Sequence, residues 1–327
     1  MKAAVVLSLI SAFQIYHQCL VNTYTLNYSF AVWQIAVLSA SFPTGKFFGT
    51  ACVYAIYRKF SLRHTLDLDA TLLLFGSVVS LLPSWLFLCA GRFLIGVGSG
   101  MGFISSNVAI YELTSFSERP QVFFVGAILY AVSIFFANAI TLFGKLPYLF
   151  LVFATNLPTF FSGLWILFST LLTDSLGLIF LKNRNLFCEI PDCFEESRSR
   201  DSEDEYPPMR NPFWLAMILM VLNVTIGVPF IMSYSTVIFI SYGLTDKHAI
   251  AFSTSYPLIQ IFLLFVLRRI SLNRRTLVVG GFGVCLMTMF LILLTLENEQ
   301  FDPTVRKYTL GILFTVLAVS TGIPCNS

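Results

Sequence analysis

Residues 91–112 read GRFLIGVGSGMGFISSNVAIYE, with an arginine at the second position and a glutamate at the last. No other charged residue lies between Arg92 and Glu112. Twenty residues of α-helix separate these two charges and span about 30 Å, the thickness of the hydrocarbon core of a bilayer. The segment is therefore predicted to cross a membrane, with Arg92 at one face and Glu112 at the other.

The composition extends this prediction to the whole chain. Hydrophobic residues make up 57% of the 327 residues and charged residues 11%, with 34 phenylalanines. Soluble domains carry about 25% charged residues, so this chain cannot cover a surface that faces water. We predict an all-α polytopic membrane protein that binds no nucleic acid. Nucleophile elbows, phosphate-binding loops and paired carboxylates are absent from the apolar runs, so an enzyme is not expected. No metal or cofactor site is expected either.

Ten apolar runs have the length of a membrane-spanning helix. The first, residues 3–22, is predicted to be a span rather than a signal peptide because it lacks a small-residue cleavage signature. We predict a six-helix N-terminal bundle in residues 1–172, a cytoplasmic linker in 173–211, and four helices of a partial C-terminal bundle in 212–327. The runs lie near 3–22, 31–57, 67–88, 92–112, 121–143, 147–172, 212–242, 248–267, 275–296 and 308–324.

Lysine and arginine predict the orientation of these spans. With the N-terminus in the cytoplasm, fourteen of them fall on the cytoplasmic side and four on the outer side: Lys145, Lys247, Arg306 and Lys307. Basic residues favour the cytoplasmic side, which supports this orientation. The plasma membrane is the expected location. The sequon at Asn27 then lies in the first outer loop, where a glycan could be attached.

Several motifs resemble the sugar porter branch of the major facilitator superfamily. In that branch the fourth helix begins with GRFxxG and ends in a glutamate that is followed, seven positions later, by an arginine. Arg92, Glu112 and Arg119 match this pattern. Residues 233–239, SYSTVIF, are similar to the YYSTxIF run of helix seven, and residues 11–22 are similar to helix one. The resemblance follows the chain in order over nearly its whole length.

The resemblance implies the major facilitator fold with about ten transmembrane helices, whereas the family has twelve. It implies a salt-bridge lattice at the cytoplasmic side that joins the two bundles and breaks as they move. Sugar-binding positions of the family are altered here: helix five has Ala127 in place of a glutamine, and Pro229 replaces an asparagine of helix seven. Hexose specificity is therefore not implied. The candidate gating residues are Arg63, Arg92, Glu112, Arg119, Arg274 and Arg275. For Arg92, an interfacial role as a snorkelling side chain is an equal alternative.

Polar side chains inside the spans are the candidates for binding a small polar solute. Lys46 is too deep to snorkel easily, and no carboxylate is evident at its depth, so it is expected to favour an anionic or carbonyl-bearing solute unless it is merely poorly tolerated. Gly227 and Pro229 could form a hinge in helix seven. The candidate binding residues are Gln14, Tyr16, His17, Lys46, Asn107, Asn138, Asn223, Ser233, Tyr234, Thr236 and Gln260.

Two functions remain open at this point. The first is a facilitative or secondary carrier that moves a small polar solute, possibly a sugar, by alternating access. The second is a non-transporting membrane protein derived from a transporter, or a truncated isoform, which acts through a partner or lacks function. An oligomer or a partner could complete the C-terminal bundle.

Overall fold

The computed structural model describes residues 2–28, 30–59, 62–114, 119–143, 146–171, 228–269, 274–297 and 302–326. These ranges hold ten α-helices and no β-strand. Six helices precede the break at residue 172 and four follow it. They are α1 (Lys2–Asn27), α2 (Val32–Lys59), α3 (Leu62–Ser80), α4 (Trp85–Leu113), α5 (Arg119–Ala139), α6 (Tyr148–Leu171), α7 (Val228–Ser241), α8 (Asp246–Arg269), α9 (Arg274–Glu297) and α10 (Pro303–Asn326). The predicted linker, 173–211, lies outside the described residues.

The boundary between α3 and α4 differs from the predicted one. Apolar content predicted spans over 67–88 and 92–112, but α3 ends at Ser80 and α4 begins at Trp85. The turn between them contains Pro83 and Ser84, and the Ser84 amide donates to the carbonyl of Leu82 at 2.7 Å. Proline has no amide hydrogen to continue the helix of the preceding residues. Arg92 therefore lies seven residues inside α4 and not at its first turn.

The distribution of side chains is that of a membrane protein. Large apolar side chains lie at the surface, such as Phe47 at 69%, Phe262 at 71% and Leu286 at 73% exposure. Polar side chains such as Asn22 and Asn138 are fully buried. Five of the described helices are long and apolar enough to cross a membrane: Trp85–Ile110, Arg119–Phe143, Tyr148–Phe168, Asp246–Arg269 and Val279–Glu297. The chain is a multi-pass integral membrane protein, because lipid is the solvent that suits such a surface.

Glycines allow α4 to pack closely against α2. A Cβ atom on Gly96 would meet the carbonyl oxygen of Phe42, and one on Gly100 would meet that of Lys46. In return, a Cβ atom on Gly45 would meet the carbonyl oxygen of Phe93. These backbones therefore touch at a separation that any side chain would prevent.

The two groups of helices meet along two seams, where α1 packs against α7 and α5 packs against α8. Apolar side chains from both groups share one buried cluster, in which Tyr16, Cys19 and Leu20 of α1 lie with Tyr256 of α8. The α1–α7 and α5–α8 seams bring polar residues of distant sequence positions together. They contain the candidate site.

Candidate functional site

Five buried polar residues form a hydrogen-bonded group between the two halves, which we call the interbundle cluster: Asn22, Asn138, Ser235, Thr236 and Ser253. The amide nitrogen of Asn22 donates to Ser235 Oγ at 3.1 Å and to Asn138 Oδ1 at 3.3 Å. Asn138 Nδ2 donates to the carbonyl oxygen of Ser253 at 2.8 Å, and Thr236 Oγ1 donates to Ser253 Oγ at 2.9 Å. The cluster therefore joins α1 and α5 to α7 and α8.

The interbundle cluster lies at one end of the molecule. Asn22 is five residues from the end of α1, and Asn138 is next to the last residue of α5. Ser253 lies two turns from the start of α8. We call this the outer end, following the orientation that the charges predict. Hydrogen bonds between uncharged groups are modest in strength, so such a contact can break at a small cost in free energy.

Helix α1 is hydrogen-bonded to α6 through Tyr16, His17 and Tyr24. The Tyr16 hydroxyl donates to the carbonyl oxygen of Thr155 at 3.1 Å, and the Tyr24 hydroxyl bonds to Thr155 Oγ1 at 2.8 Å. His17 Nε2 shares a hydrogen bond with Thr159 Oγ1, one turn along α6. Two of the predicted binding residues, Tyr16 and His17, are thus also fixed within the N-terminal bundle.

Arg92 is buried in the interior, with 1% of its surface exposed. Its guanidinium carbon lies 5.8 Å from the ring centroid of Tyr24 and 5.9 Å from that of Phe42. Tyr234 of α7 and Cys19 of α1 also lie within electrostatic reach. None of its three side-chain nitrogens has a hydrogen-bond partner among the described residues.

The prediction that Arg92 marks the outer edge of its helix is therefore wrong. The interfacial snorkelling alternative fails with it, because a snorkelling side chain keeps its charge in water. The error follows from the misplaced boundary of α4, since the turn at Pro83 and Ser84 was counted as part of a span. A guanidinium at this depth costs about 2.5–3.5 kcal/mol or more without a partner, which makes Arg92 a functional candidate.

Lys46 lies on the face of α2 that is turned toward α1 and α4 and not toward lipid. It is one turn from Phe42, whose ring stacks on that of His17 of α1 at 5.9 Å. Four residues rotate a helix by about 40° beyond a full turn, so Lys46 and Phe42 share a face. Phe48, which is 49% exposed, points about 160° away from Lys46. The Lys46 ammonium lies 5.1 Å from the ring centroid of Phe103 of α4.

The expectation that no carboxylate shares the depth of Lys46 is wrong. Asp69 of α3 is fully buried, and neither of its carboxyl oxygens has a hydrogen-bond partner in the described ranges. Its side chain lies against Gly98 and Gly102 of α4, whereas the backbone of Lys46 lies against Gly96 and Gly100. These pairs occupy the same turns of α4 on opposite faces. The two charges are level but separated by α4.

The other candidates divide into two groups. Ser233 and Gln260 are buried and Tyr234 is half-buried, all on the helices that face the N-terminal bundle. Both polar atoms of the Gln260 amide lack a partner among the described residues. Asn107 is not brought to the cluster, because its amide donates to the carbonyl oxygen of Phe103 in its own helix at 2.9 Å. Asn223, Gly227 and the side chains of Gln14 and Pro229 lie outside the described residues.

At the inner end, most side chains of the predicted salt-bridge lattice lie outside the described residues. This holds for the side chains of Arg63, Glu112, Arg274 and Arg275. Arg119 Nε donates to the carbonyl oxygen of Thr114 at 3.3 Å. A different contact joins the halves here: the Arg268 guanidinium of α8 lies 4.5 Å from the ring centroid of Phe124 of α5, and Phe265 packs edge-on against that ring. The α5–α8 seam is thus held at both ends.

Sequence reasoning missed several of these residues as candidates. Asn22 belongs to the sequence pattern of helix one, and Ser235 lies between two candidates, Tyr234 and Thr236. Neither residue was itself predicted to belong to the site. Ser253, Asp69 and Phe124 gave no signal that set them apart from other polar or aromatic residues in apolar runs. For Asp69 a signal existed, because any carboxylate at membrane depth indicates a functional site. Asn27, the predicted glycan site, ends α1 and accepts a hydrogen bond from the Leu146 amide at 2.9 Å through its Oδ1.

Comparison with known proteins places this arrangement in a family. The family model described as sugar (and other) transporter matches residues 4–176. The chain belongs to the sugar (and other) transporter family. No curated protein matches the chain. Transporters of this family have no reaction to catalyse, so membership supports a transporter and not an enzyme.

Solved structures of transporters share the fold. The xylose transporter XylE from E. coli, in a partially occluded inward-open conformation, matches with a TM-score of 0.69 and 15% identity, over 99% of this chain and 85% of that chain. The proton:xylose symporter XylE with 6-bromo-6-deoxy-D-glucose matches with a TM-score of 0.72 and 14% identity, over 99% and 80%. A bacterial homologue of the human drug peptide transporters matches with a TM-score of 0.59 and 15% identity, over 99% and 86%. The family member described here therefore has the major facilitator fold, which does not by itself select a solute.

Proposed function

We propose that the chain is a carrier that moves a small polar solute of the sugar class by alternating access. The interbundle cluster is the observation that carries this proposal. Asn22 and Asn138 from the first six helices bond to Ser235 and Ser253 from the last four, all without a charged pair. Contacts of this strength, placed at one end of the molecule, suit a gate that opens when the two halves rock against each other.

The proposed carrier is divided as the sequence suggests, with a six-helix bundle in 1–172, a linker in 173–211 and a partial bundle in 212–327. The solute would bind between the halves, inward of the interbundle cluster. Family membership supports a sugar-type solute. Buried amides and hydroxyls are suited to orient a hydroxylated solute, because each can donate or accept a hydrogen bond inside an apolar wall. The N-terminus would face the cytoplasm, and the plasma membrane is the proposed location.

A transport assay on the purified full chain tests this proposal. The protein is reconstituted into liposomes, and uptake of radiolabelled hexoses, pentoses, polyols and sugar acids is compared with that of protein-free liposomes. We expect saturable uptake of at least one of these solutes, together with faster entry when the liposomes are preloaded with the same unlabelled solute. Preloading accelerates a carrier that alternates between two faces but not a channel.

A second candidate function follows from the surface of α9. This helix packs mainly against α10, and it exposes Leu286, Met287 and Phe290. No described atom of another helix lies within 4 Å of a Cβ atom built on Gly280 or Gly283. A partner protein or a second copy could cover this face, and the chain would then act through that contact without transport. Correctly folded protein that shows no uptake or exchange of any tested solute would favour this second function.

A further inference from the structure

The guanidinium of Arg92 lies where the two halves of the molecule meet. Tyr24 of α1 and Tyr234 of α7 both lie within its electrostatic reach. An arginine has five N–H donors, and the aromatic faces of Tyr24 and Phe42 accept none of them as a hydrogen bond. The described part of the site therefore presents positive charge and free donors without a protein acceptor.

No described carboxylate neutralises Arg92. The groups that interact with it electrostatically are tyrosines and cysteines, together with His17. Asp69 lies at the level of Gly98 and Gly102, which are about 9 Å and 15 Å further along α4 than Arg92. Its carboxyl group lies in the contact of α3 with α4. The counter-charge of Arg92 must come from elsewhere.

A second positive charge lies on the same side of the N-terminal bundle. Phe103 is eleven residues beyond Arg92 in α4, so the two lie within about 20° of each other around the helix. Lys46 has its ammonium group on the Phe103 ring. The face of α4 that carries Arg92 near its outer end thus also carries Phe103 deeper in the membrane, and the Lys46 ammonium lies against that ring.

Neutral hydrogen-bonding groups accompany these charges. His17 Nδ1 and both polar atoms of the Gln260 amide lack partners among the described residues. Gln260 is one turn along α8 from Tyr256, and Tyr256 packs with Cys19 of α1. An amide with a free donor and a free acceptor suits a hydroxyl group, which uses both.

We propose that the solute bound between the halves is a hydroxylated carboxylate, such as a sugar acid. Arg92 binds its carboxylate through the guanidinium fork, a geometry that matches two carboxylate oxygens. Lys46 attracts the anion along this face of α4, and Gln260 binds a hydroxyl group. This inference rests on the proposed carrier function and narrows its solute from the sugar class to acidic sugars.

The test compares D-glucuronate with D-glucose, which differ in having a carboxylate or a hydroxymethyl group at one carbon. We expect wild-type proteoliposomes to take up labelled glucuronate. Unlabelled glucuronate should inhibit this uptake far more strongly than unlabelled glucose does. Arg92→Gln should weaken glucuronate competition by about tenfold to a hundredfold, the range that follows from losing one charge-assisted hydrogen-bonded contact. Lys46→Gln should reduce the rate of glucuronate uptake at low concentration.

Matched controls remove the same charges from exposed positions. Arg269→Gln at the end of α8 and Lys247→Gln in its first turn change exposed side chains, so glucuronate competition should stay as in the wild type. If Arg92→Gln does not fold, Arg92→Lys replaces it, and the wild-type preference for glucuronate still decides the question. Uptake of glucose with no preference for glucuronate overturns the inference and leaves the carrier function standing. Competition by chloride or sulfate as strong as that by unlabelled glucuronate also overturns the inference. Uptake of no solute at all contradicts the carrier function itself.

Discussion

At the level of single residues, both polar atoms of the Asn138 side-chain amide form hydrogen bonds with other helices. Its Oδ1 accepts from Asn22 of α1, and its Nδ2 donates to the carbonyl oxygen of Ser253 in α8. Most polar side chains in these helices instead bond to a carbonyl of their own helix, as Asn107 does. A substitution at Asn138 therefore removes contacts that no local rearrangement within α5 can replace.

We predict that Asn138→Ala weakens closure at the outer end. The change removes the donor to the Ser253 carbonyl and one acceptor of the Asn22 side-chain amide, which keeps its bond to Ser235. This loss costs about 1–2 kcal/mol for hydrogen bonds between membrane helices. A lower melting temperature in detergent and faster labelling of the buried Cys19 by a maleimide would show this. Asn107→Ala is the control and should leave both readouts unchanged. Equal effects of the two substitutions would show that the interbundle cluster has no special role.

At the level of helices, α4 is the element around which the N-terminal bundle is arranged. Its glycines alternate between two neighbours, because Gly96 and Gly100 face α2 while Gly98 and Gly102 face α3. On the α3 side the close approach places a carboxyl group, Asp69, directly against the backbone of α4. Added volume should therefore be tolerated badly at Gly102.

We predict that Gly102→Ala destabilises the protein by about 1–3 kcal/mol, as overpacking does in a tight core. Asp69→Ala removes the group that the new methyl would meet, so the double variant should recover part of this loss, with a coupling of about 0.5–3 kcal/mol. Unfolding in mixed micelles of increasing denaturing detergent would measure all three variants. Gly283→Ala, where no described atom of another helix lies within 4 Å of the new Cβ, should leave the stability unchanged. If Gly283→Ala destabilised the protein as much as Gly102→Ala, the effect would come from replacing any helical glycine and not from the contact with Asp69.

At the level of the whole molecule, the two seams between the halves differ. The α5–α8 seam is held at its outer end by Asn138 and Ser253 and at its inner end by Phe124 and Arg268. For α1 and α7, the described hydrogen bond lies at the outer end, between Asn22 and Ser235. Rocking of the halves would therefore separate α1 from α7 at this end.

We predict that a cross-link between α1 and α7 stops transport. In the double variant Asn22→Cys and Ser235→Cys, oxidation or a short bismaleimide should hold the outer end closed, since the two side chains are in hydrogen-bond contact. Uptake into proteoliposomes should fall to the protein-free level and return when a disulfide is reduced. Each single variant treated in the same way serves as the control. Full uptake by the cross-linked protein would contradict alternating access.

The orientation leads to a separate prediction. An epitope at the N-terminus should be reached by antibody only after cells are permeabilised, because the basic residues favour a cytoplasmic N-terminus. An epitope inserted after Thr245, an exposed residue between α7 and α8, should be reached on intact cells. Asn27→Gln should remove any glycosidase-sensitive increase in mass. The reverse pattern of antibody access would require the outer and inner ends to be exchanged.

The sequence predicted most of the fold and part of the site. Apolar runs predicted ten helices because lipid leaves the backbone no hydrogen-bond partner but itself. The same apolar signal failed at Pro83 and Ser84, because apolar residues on both sides of this turn form one run of membrane length. That failure misplaced Arg92 by seven residues.

What the sequence by itself determined is therefore the solvent of this protein, the helical character of its described ranges and its family, since these depend on composition, run length and motifs along the chain. Only the tertiary structure decided which polar residues meet. Asn22 and Ser235 are 213 positions apart, and no local pattern specifies a contact over that distance. The tertiary structure also separated Lys46 from Asp69, because α4 lies between them, and left Arg92 without an acceptor among the residues that the structure describes. These relations depend on which faces of α1, α2, α3 and α4 pack together, and that is set by the shapes of all four helices at once.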